Sequence, residues 1–397
     1  MNAPQAAAAA DTGALDTAAD EAGALDAAVV DAGAVDAGAA DAAAVEAGAV
    51  DAGADDTAAV DAGALGVWLA GRLPGAAPAG AVPSLSRLTG GLSNLTYLVE
   101  WGGRRLVVRR PPLGHVLETA HDMGREYRLL SALAPTAVPV PAPYGLCEDP
   151  AVIGAPFYAM AWVPGGTFRQ DAHLAALDGP AARATTDALV DTLAQLHAVD
   201  PEEVGLGGFG RPQGFMERQV RRWRRQWEQS RTRPVPGADE LNDRLAAGCP
   251  DRGGAALVHG DYKLDNVLFD PDRPGRVNAV LDWEMSTLGD PLSDLGMLCM
   301  YWEGFSGVAH SPVATPAGRP GWPGRRHLLE RYAARSGRDL DQMGWYTAFA
   351  YYKIAAILEG IHCRVAQGLA DGHRARGVAA AVPLLIDRCH AALSDPT

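Results

Sequence analysis

The chain has 397 residues, of which 48% are hydrophobic, so it is long enough for a substantial core and for two lobes. Its formal net charge of −14 argues against nucleic-acid binding, and no apolar run approaches the ~20 residues that cross a bilayer. The five scattered cysteines form no CxxC or zinc-ligand spacing. We therefore expect reduced, buried thiols in a cytoplasmic protein.

Residues 1–62 consist almost only of Ala, Asp, Gly, Val and Thr, and an acidic residue recurs every five positions from Asp11 to Asp61. A period of five leaves no apolar face on a helix or on a strand. The segment also lacks aromatic residues, so it cannot bury enough surface to offset its ordering entropy. We predict a disordered acidic tail. It holds thirteen acidic residues and no Lys or Arg, which leaves the rest of the chain near neutral.

Residues 63–165 are predicted to form an N-terminal lobe of short strands and two helices. The expected strands cover 84–88, 96–101, 105–109 and 157–162, and the expected helices cover 65–73 and 118–133. The strand over 157–162 leads into Val163 and then a Pro-Gly-Gly run, which reads as a hinge.

A glycine-containing loop, residues 89–94, separates the first two predicted strands. Its glycines would let backbone N–H groups approach phosphate oxygens, and Ser93 and Asn94 could add donors. Taken alone, a Gly-Gly pair is also typical of a simple hairpin turn. Downstream, the third strand ends in Arg109 and Arg110; alternation places Arg109 opposite Val108, and we interpret Arg110 as a solvated strand-end residue.

Residues 166–397 are predicted to be a mainly helical C-terminal lobe, with helices over 180–197, 214–231, 320–335 and 343–367. The second of these helices carries Arg218, Arg221, Arg222, Arg224 and Arg225 beside Trp223 and Trp227. Two interpretations stay open for it. It packs its tryptophans into the core under snorkelling arginines, or it forms an anion site for a phosphorylated substrate.

Residues 257–295 present polar side chains on loops between short apolar runs. Asp261 and Asn266 have the D-x-x-x-x-N spacing of a kinase catalytic loop, Lys263 stands between them, and Asp282 ends the next apolar run. Phosphoryl transfer requires a group that accepts the hydroxyl proton and hard oxygen ligands for Mg²⁺. This set of residues suits that chemistry.

The motifs HGDYKLDN and LDWEMSTLGDPLSDL resemble those of the aminoglycoside phosphotransferase-like (choline-kinase-like) small-molecule kinases. The stretches RRPPLG and RQVRRWRRQW are similar, more narrowly, to the kinase-like domain that is fused to acyl-CoA dehydrogenases. The resemblance implies an α+β, bilobal, protein-kinase-like fold with a small N-terminal antiparallel β lobe and a larger, mainly helical C-terminal lobe.

The resemblance also implies roles for individual residues. Asp261 is expected as the catalytic base with Lys263 near the transferred phosphate, and Asn266 and Asp282 as Mg²⁺ ligands; Asp294 is expected to bond back to the catalytic loop. The residues expected to bind ATP are Gly91, Ser93, Asn94, Arg109, Glu126, Ala161 and Val163. Arg109 occupies a position where related kinases carry lysine, and an ion pair between Arg109 and Glu126 is expected.

The implied function is an ATP- and Mg²⁺-dependent phosphotransferase that acts on a small-molecule hydroxyl. The narrower resemblance favours an anionic acceptor, a hydroxyacyl-CoA or a hydroxy acid, without nucleic-acid or membrane partners. An aminoglycoside kinase is the first alternative. The second is a nucleotide-binding pseudokinase, which the arginine at position 109 would favour. The oligomeric state does not follow from the sequence.

Overall fold

The computed structural model describes residues 60–88, 94–112, 122–250, 254–308, 311, 313–368 and 378–395. The predicted tail over residues 1–59 lies outside this range. Val60 is buried, and the side chain of Asp61 accepts a hydrogen bond from the N–H of Ala64 and so caps the first helix. These two residues, which the sequence suggested as part of the tail, therefore contact the folded chain.

The described chain begins with two helices and five strands. They are α1 (Ala62–Arg72), β1 (Ser84–Leu88), β2 (Leu95–Trp101), β3 (Arg104–Arg110), α2 (Met123–Leu133), β4 (Pro143–Cys147) and β5 (Phe157–Ala161). The strands form one antiparallel sheet in the order β1-β2-β3-β5-β4. The register pairs Arg109 with Thr96 on one side and with Tyr158 on the other.

The turn between β2 and β3 requires glycine. Gly102 and Gly103 have φ angles of 58° and 77°, the left-handed pair that a two-residue hairpin turn needs. A Cβ atom on Gly102 would also collide with the backbone oxygen of Ala76. The turn aligns β3, which carries Arg109, against β2.

The chain then becomes mainly helical around two small two-stranded sheets. The helices are α3 (Asp171–Ala175), α4 (Gly179–His197), α5 (Phe215–Ser230), α6 (Ala238–Ala247), α7 (Leu292–Glu303), α8 (Arg325–Ser336), α9 (Met343–Ala366) and α10 (Val378–Ser394). The short strands are β6 (Ala256–Val258), β7 (Val267–Phe269), β8 (Val277–Val280) and β9 (Thr287–Gly289). β6 pairs with β9 and β7 with β8, both antiparallel.

Two hydrophobic cores hold the chain together. The smaller core lies between α1 and the sheet and includes Leu65, Leu69 and Tyr97. The larger core extends from α2 through the helical part and includes Trp223 and Trp227 of α5. The predicted fold, a small antiparallel β lobe followed by a larger, mainly helical lobe, is confirmed.

Most predicted elements are present with shifted ends. The helix predicted over 118–133 begins at Met123, where Asp122 caps it; residues 118–121 lie outside the described chain. The helix predicted over 320–335 begins only at Arg325, after a glycine. Elements β4, β9, α3, α6, α7 and α10 were not predicted, since each is short or follows polar loop residues.

Three further sequence predictions can be compared with the structure. In the described part of the chain, none of the helices combines the length and apolarity that a membrane span requires. All five cysteines are free thiols, but Cys249 and Cys363 are only half-buried, so the expectation of buried cysteines holds for three of them. Arg110 is 2% exposed and donates to the backbone oxygen of Ile153 at 2.6 Å, so its interpretation as a solvated residue is wrong.

Candidate active site

The loop between β6 and β7 carries Asp261 and is held by an aspartate from α7. The backbone N–H groups of His259 and Gly260 donate to the two carboxylate oxygens of Asp294, at 2.6 and 2.8 Å. Gly260 has φ +86°, and a Cβ atom there would lie 2.7 Å from the backbone oxygen of Met285. The expected bond from Asp294 to the loop is therefore present, and the tight turn requires glycine.

Asp294 is itself buried and ionised. His197 of α4 places Nε2 at 3.2 Å from Oδ2, and its Nδ1 lies 2.7 Å from the hydroxyl of Tyr332. Burial works against the charged form, but the bond to His197 and the charges of His197 and His259 outweigh it and lower the pKa of Asp294. The loop is thus anchored to the helical core through a carboxylate.

The carboxylate of Asp261 accepts hydrogen bonds on both oxygens. Nζ of Lys263 lies 2.8 Å from Oδ2, and Nδ2 of Asn266 lies 3.1 Å from the same oxygen. The hydroxyl of Tyr301, on α7, donates to Oδ1 at 3.0 Å. The predicted catalytic residues Asp261 and Lys263 are therefore in contact, beside the predicted metal ligand Asn266.

Asp261 stays ionised although it is buried. Desolvation favours its neutral form, but the charges of Lys263 and Lys353 outweigh burial and lower the pKa of Asp261. Lys353 belongs to α9 and donates to the backbone oxygen of Gly260 at 3.2 Å. In return, Asp261 outweighs the effect of burial on Lys263 and raises the pKa of that amine.

Asn266 and Asp282, the predicted Mg²⁺ ligands, lie on neighbouring chain segments. The N–H of Leu281 donates to the backbone oxygen of Asn266 at 2.8 Å. Asp282 follows with φ +63°, a left-handed conformation that non-glycine residues seldom adopt. Such strain is found where the surrounding structure dictates a side-chain direction, and here it directs Asp282 toward Arg109 of the sheet.

Arg109 connects the sheet to the helical lobe. Its Nη2 lies 3.1 Å from Oδ1 of Asp282 and 3.0 Å from Oε2 of Glu284, and its Nε lies 3.4 Å from Oε2 of Glu126. The predicted pair with Glu126 is thus an ion pair without hydrogen-bond geometry. Burial disfavours the charged guanidinium, but Glu126 first, then Tyr158 and the other two carboxylates, raise the pKa of Arg109 well above its ordinary value.

Glu126 is buried on α2 beneath Arg109. Oε1 accepts from Nδ2 of Asn94 at 3.0 Å, and Oε2 accepts from the hydroxyl of Tyr158 at 2.8 Å. Burial raises the pKa of Glu126, and Arg109 and Tyr158 only partly oppose that effect. Asn94 also contacts Oε2 of Glu284 at 3.3 Å, so this predicted nucleotide-binding residue joins both carboxylates.

The remaining predicted nucleotide-binding residues lie at the edge of this network or outside the described chain. Ala161 ends β5 and pairs with Leu106, and Val163 follows it two residues later; both are partly exposed. Gly91 and Ser93 belong to residues 89–93, which the structure does not describe. The structure therefore brings together seven of the predicted site residues: Asn94, Arg109, Glu126, Asp261, Lys263, Asn266 and Asp282.

Sequence reasoning missed three residues of the site. Glu284 belongs to the quoted D-W-E motif, which assigned it no role, and its acidic character beside Asp282 was the available signal. Tyr301 and Lys353 carry no local signal, because both sit within apolar helices far from the motif in sequence.

The arginine-rich helix α5 does not supply the anion site that the second interpretation required. Trp223 and Trp227 are fully buried, so neither indole ring is open to stack on a ligand. Arg221 is 64% exposed and pairs with Glu217, and Arg224 pairs with Glu228 and Asp243. The helix packs its tryptophans under arginines, as the first interpretation predicted.

The donor set around Asp282 fits a magnesium ion held by few protein ligands. Both hydrogen bonds from Nδ2 of Asn266 go to Asp261, which leaves Oδ1 of Asn266 available as a hard oxygen ligand. The side chain of Asp282 is 31% exposed, and only its Oδ1 contacts Arg109. Within the described residues, no cluster of three or more His, Cys, Asp or Glu side chains could hold a metal ion by itself.

The part of the chain that contains these residues is similar to known proteins. The sequence profile of the phosphotransferase enzyme family matches residues 84–346, which contain every described site residue except Lys353. A crystal structure from Ralstonia eutropha, provisionally described as an aminoglycoside phosphotransferase, is 35% identical and has a TM-score of 0.74. It covers 84% of this chain and 98% of that protein.

Two further comparisons are more distant or partial. A thermostable variant of the aminoglycoside phosphotransferase APH(4)-Ia, in complex with AMP-PNP and hygromycin B, has a TM-score of 0.53 at 17% identity and supports the fold alone. It covers 83% of this chain and 98% of that one. Acyl-CoA dehydrogenase family member 11 of Gallus gallus is 36% identical over 324 residues, which is 80% of this chain. The match spans only 41% of that relative.

Proposed function

Since the chain belongs to the phosphotransferase enzyme family, we propose that it is an ATP- and Mg²⁺-dependent kinase that phosphorylates a hydroxyl group of a small molecule. The observation that carries this proposal is the buried, ionised carboxylate of Asp261, held by Lys263 and Asn266 beside the strained Asp282. Phosphoryl transfer requires little from a protein beyond a positioned proton acceptor, metal ligands and phosphate-binding cations.

In the proposed step, the acceptor oxygen forms a bond to the γ-phosphorus of ATP. The bond between that phosphorus and the β–γ bridging oxygen breaks, and ADP leaves with the bonding electrons. The proton of the acceptor hydroxyl passes to Asp261. Lys263, in contact with this carboxylate, is then placed to offset negative charge on the transferred phosphoryl group, a role that suits a buried ammonium.

On the nucleotide side, we propose that Arg109 binds phosphate oxygens of ATP. Its guanidinium already holds three carboxylates, and an arginine fork suits phosphate as well as carboxylate. Asn94 and the undescribed Gly91 and Ser93 would complete the phosphate contacts. Adenine would lie against the backbone between Ala161 and Val163, and Glu126 would orient Arg109.

Asn266 and Asp282 would hold Mg²⁺ through their free oxygen atoms. A magnesium ion there would neutralise charge on the β- and γ-phosphates of ATP. Its remaining ligands would be water and phosphate oxygens, since Mg²⁺ is usually bound by only one or two carboxylates of a protein.

The acceptor, in our proposal, is an anionic hydroxy compound, most specifically a hydroxyacyl-CoA or a hydroxy acid. Asp261 is flanked by Lys263 and Lys353, so the surroundings of the base carry compensating positive charge, which disfavours a polycationic acceptor. The similarity to acyl-CoA dehydrogenase family members supports the same substrate class. The exposed arginines of α5, the other ground for an anionic acceptor, no longer support it.

An aminoglycoside kinase is the second candidate, because the Ralstonia eutropha protein carries that provisional description at 35% identity. A pseudokinase is the third, for which the arginine at position 109 is the only indication. The three candidates differ in what they phosphorylate, so one experiment separates them.

The test incubates the purified full chain with ATP, Mg²⁺ and separate pools of hydroxyacyl-CoAs, hydroxy acids and aminoglycosides. Products are identified by the mass of an added phosphoryl group, and ADP release is measured in parallel. Asp261→Asn is the control, because turnover by a contaminating kinase would survive that substitution. Phosphorylation of hydroxyacyl-CoAs or hydroxy acids that is lost in the control supports the proposal. Transfer to aminoglycosides alone would support the second candidate, and ATP binding without turnover the third.

A further inference from the structure

We propose that Tyr301 is a positioning residue for the catalytic base, and that its hydroxyl selects Oδ1 of Asp261 as the oxygen that receives the acceptor's proton. This inference rests on the proposed function, because it assigns a role within the same transfer step. The contact that carries it is the hydrogen bond from the Tyr301 hydroxyl to Oδ1 at 3.0 Å.

The two oxygens of the Asp261 carboxylate differ in how many donors they meet. Oδ2 accepts from Nζ of Lys263 at 2.8 Å and from Nδ2 of Asn266 at 3.1 Å. Oδ1 accepts from Tyr301. Since a carboxylate oxygen has two lone-pair positions, donors from the described residues occupy both positions of Oδ2 and leave one position of Oδ1 for a further donor. The acceptor hydroxyl must therefore approach Oδ1, on the side to which Tyr301 turns it.

The helix that carries Tyr301 is fixed to the same loop at a second point. Asp294, seven residues earlier on α7, accepts the N–H groups of His259 and Gly260. Residues seven apart lie on one face of a helix, about 10 Å apart along its axis. One face of α7 thus holds the loop backbone through Asp294 and the base itself through Tyr301, so the carboxylate cannot rotate independently of the loop.

The ring of Tyr301 also contacts the cation that pairs with the base. Nζ of Lys263 lies 4.9 Å from the ring centroid, within the range of a cation–π interaction. Tyr301 is 6% exposed, so its hydroxyl donates within a buried network and not to bulk solvent. The residue therefore contacts both members of the Asp261–Lys263 pair, which the short sequence motif alone does not show.

A structural role and a positioning role make different predictions for Tyr301→Phe. The phenylalanine keeps the ring and its contact with Lys263, and it removes only the donor to Oδ1. If the hydroxyl positions the base, kcat falls by roughly tenfold or more, while the KM for ATP stays unchanged.

Tyr346→Phe is the matched control. Tyr346, on α9, is also buried and donates from its hydroxyl to a carboxylate, Oδ2 of Asp290 at 2.5 Å. It makes the same chemical contact away from Asp261. We expect a similar loss of melting temperature in both variants, but a lower kcat only in Tyr301→Phe.

The outcomes separate this inference from the proposed function. If the wild type transfers phosphate and Tyr301→Phe matches it in kcat, or changes only as Tyr346→Phe does, the assignment of Tyr301 is overturned. If the wild type consumes no ATP with any acceptor, the proposed function fails and this inference fails with it. A kcat that is lower in Tyr301→Phe than in Tyr346→Phe, with an unchanged KM for ATP, supports it.

Discussion

Arg109 is the residue whose guanidinium pairs with three carboxylates of the site. It binds Glu126 from the N-terminal lobe and Asp282 and Glu284 from the C-terminal lobe. A lysine offers one ammonium where arginine offers several N–H groups in a fixed plane, so lysine could not reproduce these separate contacts. With arginine in place of lysine at position 109, one side chain can contact carboxylates of both lobes.

Substitution of Asp261 should affect catalysis, and substitution of Asp282 should affect metal binding. We expect Asp261→Asn to lower kcat by ~10²- to 10⁴-fold, because the proton acceptor is lost, and to leave the Kd for Mg²⁺-ATP close to that of the wild type. Asp282→Asn keeps a residue type that tolerates the left-handed φ of 63°, but it loses the charge on the proposed metal ligand. We expect it to lose the Mg²⁺-dependent part of ATP binding.

Calorimetric titration of both variants with ATP, with and without Mg²⁺, checks this separation alongside single-turnover rates. Near-normal turnover in either variant would contradict the proposed roles. Equal loss of ATP binding in both would show that the two carboxylates act as one structural unit.

The pH dependence of turnover should respond to Lys353. This lysine helps to lower the pKa of Asp261, so the base stays ionised and active as the pH falls toward that lowered pKa. Lys353→Met removes the charge and raises the pKa, so activity should be lost at a higher pH than in the wild type. Lys353→Arg keeps the charge and is the control.

The lowered pKa of Asp261 also makes the stability of the fold depend on pH. Because the pKa of Asp261 is lower in the folded protein than in the unfolded chain, its ionisation stabilises the fold above the unfolded pKa. That contribution is lost as the pH falls through the folded value. An acid limb of kcat that is identical in Lys353→Met and wild type would show that Lys353 acts only on the backbone of Gly260.

Helices α7 and α5 hold other parts of the site in place, α7 through hydrogen bonds and α5 through packing. α7 holds the catalytic loop through Asp294 and Tyr301. α5 packs against α9, where Nζ of Lys353 lies 5.5 Å from the ring centroid of Trp223. The buried face of α5 therefore supports the helix that carries Lys353, while Arg221 and Arg224 lie at the surface and pair with neighbouring acids.

Substitutions on the exposed face of α5 should leave stability unchanged, and substitutions on its buried face should lower it. We expect the double variant Arg221→Glu, Arg225→Glu to keep the melting temperature and the KM values of both substrates, because Arg221 is exposed and pairs only within its helix. Trp223→Ala should cost about 3–5 kcal/mol of unfolding free energy, as a large buried side chain is lost. Urea unfolding and steady-state kinetics measure both effects. A raised KM for the acceptor in the charge-reversal variant would restore α5 as a substrate-binding helix.

At the scale of the whole molecule, the acidic repeat accounts for nearly all of the net charge of −14, although residues 1–59 lie outside the described structure. We propose the division into a tail over 1–62, an N-terminal lobe over 63–165 and a C-terminal lobe over 166–397. The contacts of Val60 and Asp61 with the folded part add a detail at the first boundary.

Two truncations test where the tail ends. Deletion of residues 2–58 should leave turnover and melting temperature nearly unchanged, because that segment has no apolar face to dock. Deletion of residues 2–61 should lower the melting temperature by several degrees, since it removes the buried Val60 and the capping carboxylate of Asp61, the latter worth ~1 kcal/mol. A lower melting temperature in the shorter deletion would show that the repeat packs on the folded protein.

Most of the longer elements and the residues of the proposed catalytic loop could be predicted from the sequence alone. Asp261, Lys263 and Asn266 lie within six positions, so the short loop that joins them leaves few ways to arrange them, and a local motif suffices. The same holds for the Asp122-capped helix that carries Glu126 and for the strand that carries Arg109. Gly91 and Ser93 stay predictions, since they fall outside the described residues.

Which distant side chains complete the site depends on how the helices pack. Tyr301 and Lys353 follow the loop by 40 and by more than 90 residues and reach it because α7 and α9 pack behind it. No short window of sequence carries such information, because a tyrosine or a lysine in an apolar helix has the same local pattern whether it contacts a carboxylate or only core. Packing also decided between the two interpretations of α5, since burial of Trp223 and Trp227 depends on the helices that cover them.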